Sequence, residues 1–308
     1  MGKTYFRLSD GNFSQNWSDD GLITAADDWS GVPSIVGYLG NGMIGTATGV
    51  NPATVTGDST DVDVIPNLTN PNTSTNGGVA EFRIANPTVA LQGSGTAGAP
   101  YLALYMDARG RENIVLSFNA RDIDGSADNA VQPIAVQYRI GDSGAWITLP
   151  AGSISDASTG PSAATLVTPV TVTLPAAANN AAELQIRIIT TNAVGSDEWI
   201  GIDDISVASS AVAAVAPGIL SIGDATLVEG NSGATDMIFT VTRAGGSDGV
   251  VSASWSVSLD GSAAASDLGT PLSGTVSFAD GQTSATIRVP VTGDLVTEVN
   301  ETFSVLLS

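Results

Sequence analysis

Ile134-Ala-Val-Gln-Tyr-Arg-Ile140 places an apolar side chain at every second position. That is the pattern of a strand with one face in a core. The same period of two recurs at 114–120, 168–174, 184–190 and 199–207, with shorter candidates at 4–8, 80–84 and 101–106. Turn formers separate these segments: Asp10-Gly11, Asp124-Gly125 and Gly141-Asp-Ser-Gly144, which suit tight or bulged turns. No amphipathic helix longer than two turns is found. Residues 176–183 favour helix by propensity but are short enough for a loop. A chain built this way is expected to be all-β. Eight or more strands in the first ~200 residues fit a two-sheet jelly roll.

The small-residue run Ala208-Ser-Ser-Ala-Val-Ala-Ala-Val-Ala-Pro217 is the clearest boundary, because such a run packs little and ends in a breaker. It predicts a jelly-roll β-sandwich over 1–209, a linker over 210–217 and a second sandwich over 218–308. A length of 308 residues accommodates two domains. Residues 40–78 hold little periodicity and much Thr, Asn, Pro and Gly. A stretch of that length is functional or packed on the surface more often than idle.

Charge excludes several functions. Acidic residues number 31 against 10 basic ones, Lys3 being the only Lys, for a net charge of −21. Both parts are acidic, with 8 basic and 21 acidic residues in 1–212 and 2 against 10 in 213–308. Such a polyanion repels nucleic-acid phosphates and anionic lipid surfaces, so neither is an expected partner. Of the acids, 24 are Asp and 7 are Glu. Short carboxylates in Gly-, Asn- and Ser-rich loops suit Ca²⁺, which takes oxygen ligands; an acidic surface also serves solubility alone.

Cys and His are both absent. Disulfides, thiolate metal sites, Cys nucleophiles, Ser-His triads and His-based zinc sites are therefore excluded. Carboxylate-only glycosidase chemistry remains, but the expectation is that these residues are not an enzyme. No apolar run of 18 residues provides a membrane span. Met1-Gly-Lys-Thr-Tyr-Phe6 has no apolar leader region. The protein then stays inside, has lost a leader, or is exported by a signal further on.

Some acidic pairs stand out by position. Asp203 and Asp204 lie in a predicted strand, where alternation turns one carboxylate inward, and a buried carboxylate needs a partner or a metal. Asp19, Asp20, Asp27 and Asp28 flank Trp17 and Trp29; they form either a solvated loop pinned by two core Trp side chains or a site for Ca²⁺ or sugar. Arg109 and Arg111 are the one local basic pair, a clamp for an anion or a balance for neighbouring Asp.

The last part of the chain carries an ordered motif set. Asp224-Ala-Thr-Leu-Val-Glu229-Gly-Asn-Ser-Gly is followed by Phe239-Thr-Val-Thr-Arg243. Gly274-Thr-Val-Ser-Phe-Ala-Asp-Gly-Gln and Asp294-Leu-Val-Thr-Glu298-Val-Asn-Glu301-Thr-Phe come next. This order resembles the Calx-β domain, an Ig-like calcium-associated β-sandwich common in large secreted bacterial proteins. The resemblance implies a calcium site of loop carboxylates at one end of the sandwich, from Glu229, Asp267, Asp294, Glu298 and Glu301. It departs from the family at Gly293 and Leu295, where a tandem acidic run stands in calcium-binding members. It also implies that the domain is unfinished at Ser308.

Tyr138-Arg-Ile-Gly-Asp-Ser-Gly-Ala-Trp146 and Trp199-Ile-Gly-Ile-Asp-Asp-Ile-Ser-Val207 resemble the closing half of a carbohydrate-binding-module-like jelly roll. That class often places a structural calcium near its final strand, which implies Asp203 or Asp204 as a ligand. Residues 6–40 are similar to the start of secreted bacterial multidomain proteins, some with a nuclease or phosphatase domain downstream.

Together these imply a non-catalytic, extracellular, calcium-associated adhesion region of a secreted or surface protein. Its partners would be other protein subunits or cell-surface components, glycans among them. Two alternatives stand beside it. One is a structural subunit of a filament or surface layer assembling by strand complementation; the other is the accessory region of a secreted hydrolase.

Overall fold

The computed structural model describes residues 3–127 and 130–308. The chain divides into two compact units, 1–212 and 213–308, and both are built of strands, as the period-two pattern requires.

The first unit contains β1 (Phe6–Arg7), β2 (Phe13–Gln15), β3 (Ile35–Tyr38), β4 (Ile65–Leu68), β5 (Gly78–Phe82), β6 (Thr88–Gln92) and β7 (Tyr101–Asp107). It continues with β8 (Arg111–Asp122), β9 (Ile134–Ile140), β10 (Ile147–Ile154), β11 (Val167–Thr173), β12 (Leu184–Ile189) and β13 (Ile200–Ala211). One sheet runs β1-β7-β12-β9-β10, with β3 also on β7; the other runs β11-β8-β13-β6-β5-β4, with β2 on β13. Between them lies the core, with Leu102, Leu104 and Met106 of β7, Ile186 and Ile188 of β12, Ile114, Leu116 and Phe118 of β8, and Ile202 and Ile205 of β13. The two sheets stack as a jelly-roll sandwich, each strand sending alternate residues inward.

The alternation has a second consequence on the first sheet. Tyr101, Ala103 and Tyr105 of β7 and Ile189 of β12 point away from the main core, yet they too are buried. An antiparallel sheet usually leaves one face wet; here residues 41–59 lie over it as a strap. Ala53, Val55, Met43, Ile44 and Val50 pack on that face. The strap has little regular structure of its own, only a turn of 3₁₀ helix at Pro52–Thr54. Side chains from the sheet supply what a ladder would. Gln137 donates to the carbonyls of Ala53 and Val55, and Arg187 donates to those of Val55 and Gly57. The aperiodic stretch expected to be functional or surface-packed is thus, over 41–59, cover for a sheet.

Several elements differ from the sequence expectation. The segment 4–8 shortens to β1, because Leu8 turns into the core within a 3₁₀ turn (Leu8–Asp10). β5, β6 and β7 are buried along their whole length, so β6 shows no alternation to read. β4, Ile65-Pro-Asn-Leu68, pairs in parallel with β5; Pro fits there because it is an edge position. Residues 176–183 contain one 3₁₀ turn, Ala176–Ala178. Trp17 and Trp29 are core residues, packed edge to face with ring centroids 6.4 Å apart. The nearby carboxylates Asp19, Asp27 and Asp28 accept backbone N–H groups of Gly21, Val64 and Ser30. Arg109 pairs with Asp107 at 2.5 Å and Arg111 donates to Ser209, so the basic pair is spent within the fold.

Asp63, held between β3 and β5, gives a pH test of the packing there. It accepts the Val79 N–H at 2.6 Å, and Trp29 donates to its carbonyl. Burial, the largest cause, pushes its carboxyl up to about 6, helped by the charge of Asp27. The folded state then binds more protons than the unfolded state between the ordinary value, 3.8, and about 6. Stability therefore falls as pH rises through that window and is flat above it. Asp63→Asn should remove about 1 kcal/mol of this slope, discounted for partial exposure. Denaturant melts at pH 4.5 and 6.5 measure it; an unchanged difference between the two would contradict the burial argument.

The second unit contains β14 (Ile219–Ile222), β15 (Gly233–Ala244), β16 (Val251–Ser258), β17 (Ser273–Phe278), β18 (Ser284–Gly293) and β19 (Ser304–Leu307). They form the sheets β14-β15-β18 and β17-β16-β19. Phe239, Val241, Trp255, Val276, Phe278, Ile287, Val289 and Val291 fill the space between, so the architecture is a second sandwich. Arg243 follows Phe239 and Val241 on the inward face. Its buried guanidinium ties the carbonyls of Pro217, Asp248, Gly249 and Ala279 at one end.

Candidate functional site

At one end of the second sandwich, three carboxylates converge. Asp267 closes a 3₁₀ turn (Ala265–Asp267) ahead of Leu268, which bridges to Val291 of β18. Glu298 and Glu301 lie in the loop between β18 and β19. One oxygen from each of Asp267, Glu298 and Glu301 falls within 4.8 Å of the others. They are far apart in sequence and meet because loops at one end of a sandwich share space.

Local hydrogen bonds set two of the acids. Asp267 accepts the Ala264 N–H at 2.7 Å and the Ser266 hydroxyl at 3.0 Å, and the backbone bond holds its carboxyl below the usual range. Asp294 accepts the Val296 N–H at 2.6 Å, folding the loop back on itself. Glu301 is raised, first by its hydrogen bond with Asp267 and then by desolvation. Glu298 is raised by desolvation and by the charges of Asp267, Glu229 and Asp294. All five acids named from the sequence therefore contribute to one negative end, three of them within ligand distance.

The donor set fits a hard cation. It consists of carboxylates, it is solvent-accessible, and the unit's ion pair, Arg288–Asp236, leaves these acids untouched. Oxygen-only ligands of this kind match Ca²⁺. A bound ion would supply charge neutralisation and would cross-link the turn at Asp267 to the loop carrying Glu298 and Glu301.

Gly293 has a steric reason. A Cβ at this position would come within 2.8 Å of the Gly230 carbonyl and 2.9 Å of that of Glu229. The entry loop with Glu229 lies too close for any side chain there, which accounts for the departure at 293; the exposed Leu295 has no such steric reason.

The Asp203–Asp204 pair is arranged differently. Asp203 is almost fully buried and pairs with Arg121 of β8 at 2.6 Å; Asn86 donates to the same oxygen. Its other oxygen accepts the Asp204 N–H. Asp204 points outward at a left-handed φ of 50° and accepts from Asn119. The β13–β8 register shifts between Asp203 and Ser206, so this bulge sets both side chains. The partner that a buried carboxylate requires is present as a guanidinium.

Residues 216–308 match the Calx-beta domain family. No curated protein matches the chain. Among solved structures, the chain is similar to the K3 cleaved adhesin domain of Lys-gingipain from Porphyromonas gingivalis w83. Identity there is 16%, over 64% of this chain and 98% of that one, with a TM-score of 0.36. A carbohydrate-binding module specific for non-crystalline cellulose, CBM28, is similar at 10% identity, over 47% and 98%, with a TM-score of 0.32. CBD12 from CALX1.2 is similar at 16% identity, over 62% and 73%, with a TM-score of 0.22. Residues 216–308 are a Calx-beta domain, preceded by a jelly-roll sandwich.

Proposed function

We propose that the chain is a non-catalytic binding region that works outside the cell, with calcium stiffening the acidic end of its Calx-beta domain. The convergence of Asp267, Glu298 and Glu301 within 4.8 Å carries this reading. Three carboxylates at that spacing repel one another, and a divalent cation removes the repulsion. The absence of His and Cys supports a binding role over catalysis. The high negative charge favours protein or glycan partners over nucleic acid. An exposed site of few ligands suits the roughly 10⁻⁴–10⁻³ M affinities of extracellular calcium modules. Calorimetric titration of the chelator-treated protein with Ca²⁺ tests it. Heat of binding is expected for the parent and at least tenfold weaker binding for Glu301→Gln. A parent that takes up no Ca²⁺ at 10 mM would sink the proposal.

A further inference from the structure

One side chain closes the strap over 41–59 on itself. Asn41 begins the strap shortly after β3, and its amide Nδ2 donates to Asp61 Oδ2 at 2.5 Å. The Ser59 hydroxyl donates to Asn41 Oδ1 at 3.3 Å. Ser59 is itself seated: its N–H donates to the Tyr101 hydroxyl at 3.2 Å, and its Oγ accepts the Asp61 N–H at 3.3 Å. Asp61 is tied back to the chain leaving β3, its carbonyl accepting the Leu39 N–H at 2.9 Å. The Asn41 amide is thus a clasp between the two ends of the strap, and its bond to a carboxylate is of the stronger, charge-assisted kind.

The residue after the clasp is Gly42. It is exposed in a turn at φ 72°, and a Cβ on it would meet nothing within 4 Å. Its N–H has no hydrogen-bond partner among the described residues. An Asn side chain followed by such an N–H sets an electrophilic carbon and a nitrogen nucleophile within reach of a five-membered ring. The Ser59 hydroxyl on Oδ1 draws electron density from Cγ, the carbon that would be attacked. Asn76-Gly77 is the other Asn-Gly pair of the chain. There Gly77 is buried, and its N–H is spent on Gln92 Oε1 at 3.2 Å. A Cβ on Gly77 would fall within 2.5 Å of the Ser94 side chain, so that backbone is also crowded. The same dipeptide is free to react at one position and held at the other.

We infer that Asn41-Gly42 is a self-modification site, at which the folded chain converts its own clasp amide into a carboxylate and so opens the strap. The Gly42 nitrogen attacks Asn41 Cγ. The N–Cγ bond forms, the Cγ–Nδ2 bond breaks, and the proton of the Gly42 amide leaves with Nδ2 as ammonia. Water then opens the cyclic imide at either carbonyl, restoring the N–H at position 42 and leaving aspartate or isoaspartate at position 41. Water is the only co-reactant, and no electron changes hands. The product inverts the clasp. Where a neutral amide donated to Asp61, a second carboxylate now faces it at hydrogen-bond distance, and like charges that close repel. The isoaspartate form also lengthens the backbone by a methylene at the first residue of the strap. The event lies in the jelly-roll unit and rests on no part of the calcium reading, so the two fail separately.

Ageing the full chain at pH 8.5 and mapping its chymotryptic peptides by mass tests the chemistry. The peptide with Asn41 should gain the mass of an amide-to-acid change over days to weeks, and an isoaspartyl methyltransferase should label it. Conversion should be at least fivefold slower at pH 6.5, because the attacking nitrogen must lose its proton. The Asn76 peptide should convert at least tenfold more slowly in the folded chain and at a comparable rate once the chain is unfolded in urea. Hydrogen exchange at 43–50 reads the strap. It should accelerate at least fivefold in aged protein and in Asn41→Asp, and return to the parent rate in Asn41→Asp with Asp61→Asn, where the like charge is gone. If Asn41 stays intact in the folded chain while it converts in urea, or if Asn76 converts as fast, the fold does not direct the reaction and the inference is overturned. Parent-like exchange in both the aged protein and Asn41→Asp would overturn the opening of the strap, and exchange that stays fast in the double variant would overturn repulsion as its cause.

Discussion

Calcium at 10 mM is expected to raise the melting temperature of the Calx-beta unit by about 6–22 °C, and Glu301→Gln to remove most of that shift. A ligand that binds only the folded state stabilises by RT ln(1 + [L]/Kd). With Kd in the roughly 10⁻⁴–10⁻³ M range of exposed calcium modules, 10 mM gives ~1.4–2.7 kcal/mol. In a domain of this size each kcal/mol moves the midpoint by about 4–8 °C. Glu301 is the position to change because it touches Asp267 as well as the space shared with Glu298. The substitution to Gln keeps its volume and removes its charge. It also removes a like-charge contact, so the variant without calcium should be no less stable than the parent. Scanning calorimetry of the full chain in EDTA and in calcium reads both effects, with two transitions expected from two units. Asp204→Asn, in the other unit, should leave the calcium shift intact. A midpoint that ignores calcium in the parent would refute the reading, whatever the variants do.

Much of the fold was legible in particular segments. Ile134–Ile140 is a strand at its expected limits, because its two faces differ chemically and the alternation survives in sequence. Thr88–Gln92 was not legible, because both of its faces are buried and nothing alternates. The strap over 41–59 was visible only as a lack of period. What orders it lies far away in sequence, in Gln137, Thr148 and Arg187 reaching its carbonyls. The acidic end of the Calx-beta domain was legible through motif order, which names Asp267 and Glu301 without showing that they touch. Arg121 beside Asp203 was not legible, since that contact depends on the register of β8 against β13 and on a bulge within it.

Arg187→Ala is expected to cost the jelly-roll unit about 3–4 kcal/mol and to release the strap. Arg187 is fully buried. It donates to Gln137 Oε1 at 2.6 Å, to the Gly57 carbonyl at 2.7 Å and to the Val55 carbonyl. Its guanidinium also lies over the rings of Tyr101, at 5.0 Å, and Trp146, at 4.5 Å. Burial pulls it down to about 10, so it remains charged at neutral pH and its desolvation is a standing cost of the fold. Truncation removes that cost but leaves the buried Gln137 Oε1 without its donor, worth about 1–3 kcal/mol, and takes one of two donors from the Val55 carbonyl. It also leaves a cavity between two aromatic rings, and the penalties outweigh the relief. Lys cannot replace it, because one ammonium cannot present a planar fork to three acceptors while stacking on two rings; Arg187→Lys should lose at least half as much. In a unit of this size 3–4 kcal/mol corresponds to a fall of about 6–15 °C. The strap discriminates this account from general destabilisation. Its carbonyls at 53, 55 and 57 are held by side chains of the sheet and not by a ladder, so hydrogen exchange at 50–59 should accelerate well before β7 or β12 lose protection. If strap and strands instead open together, or if Arg187→Ala lies within 1 kcal/mol of the parent, the strap is held by its apolar contacts, Val55 and Ala53 on Tyr101 and Tyr105, and the guanidinium is only a tolerated passenger.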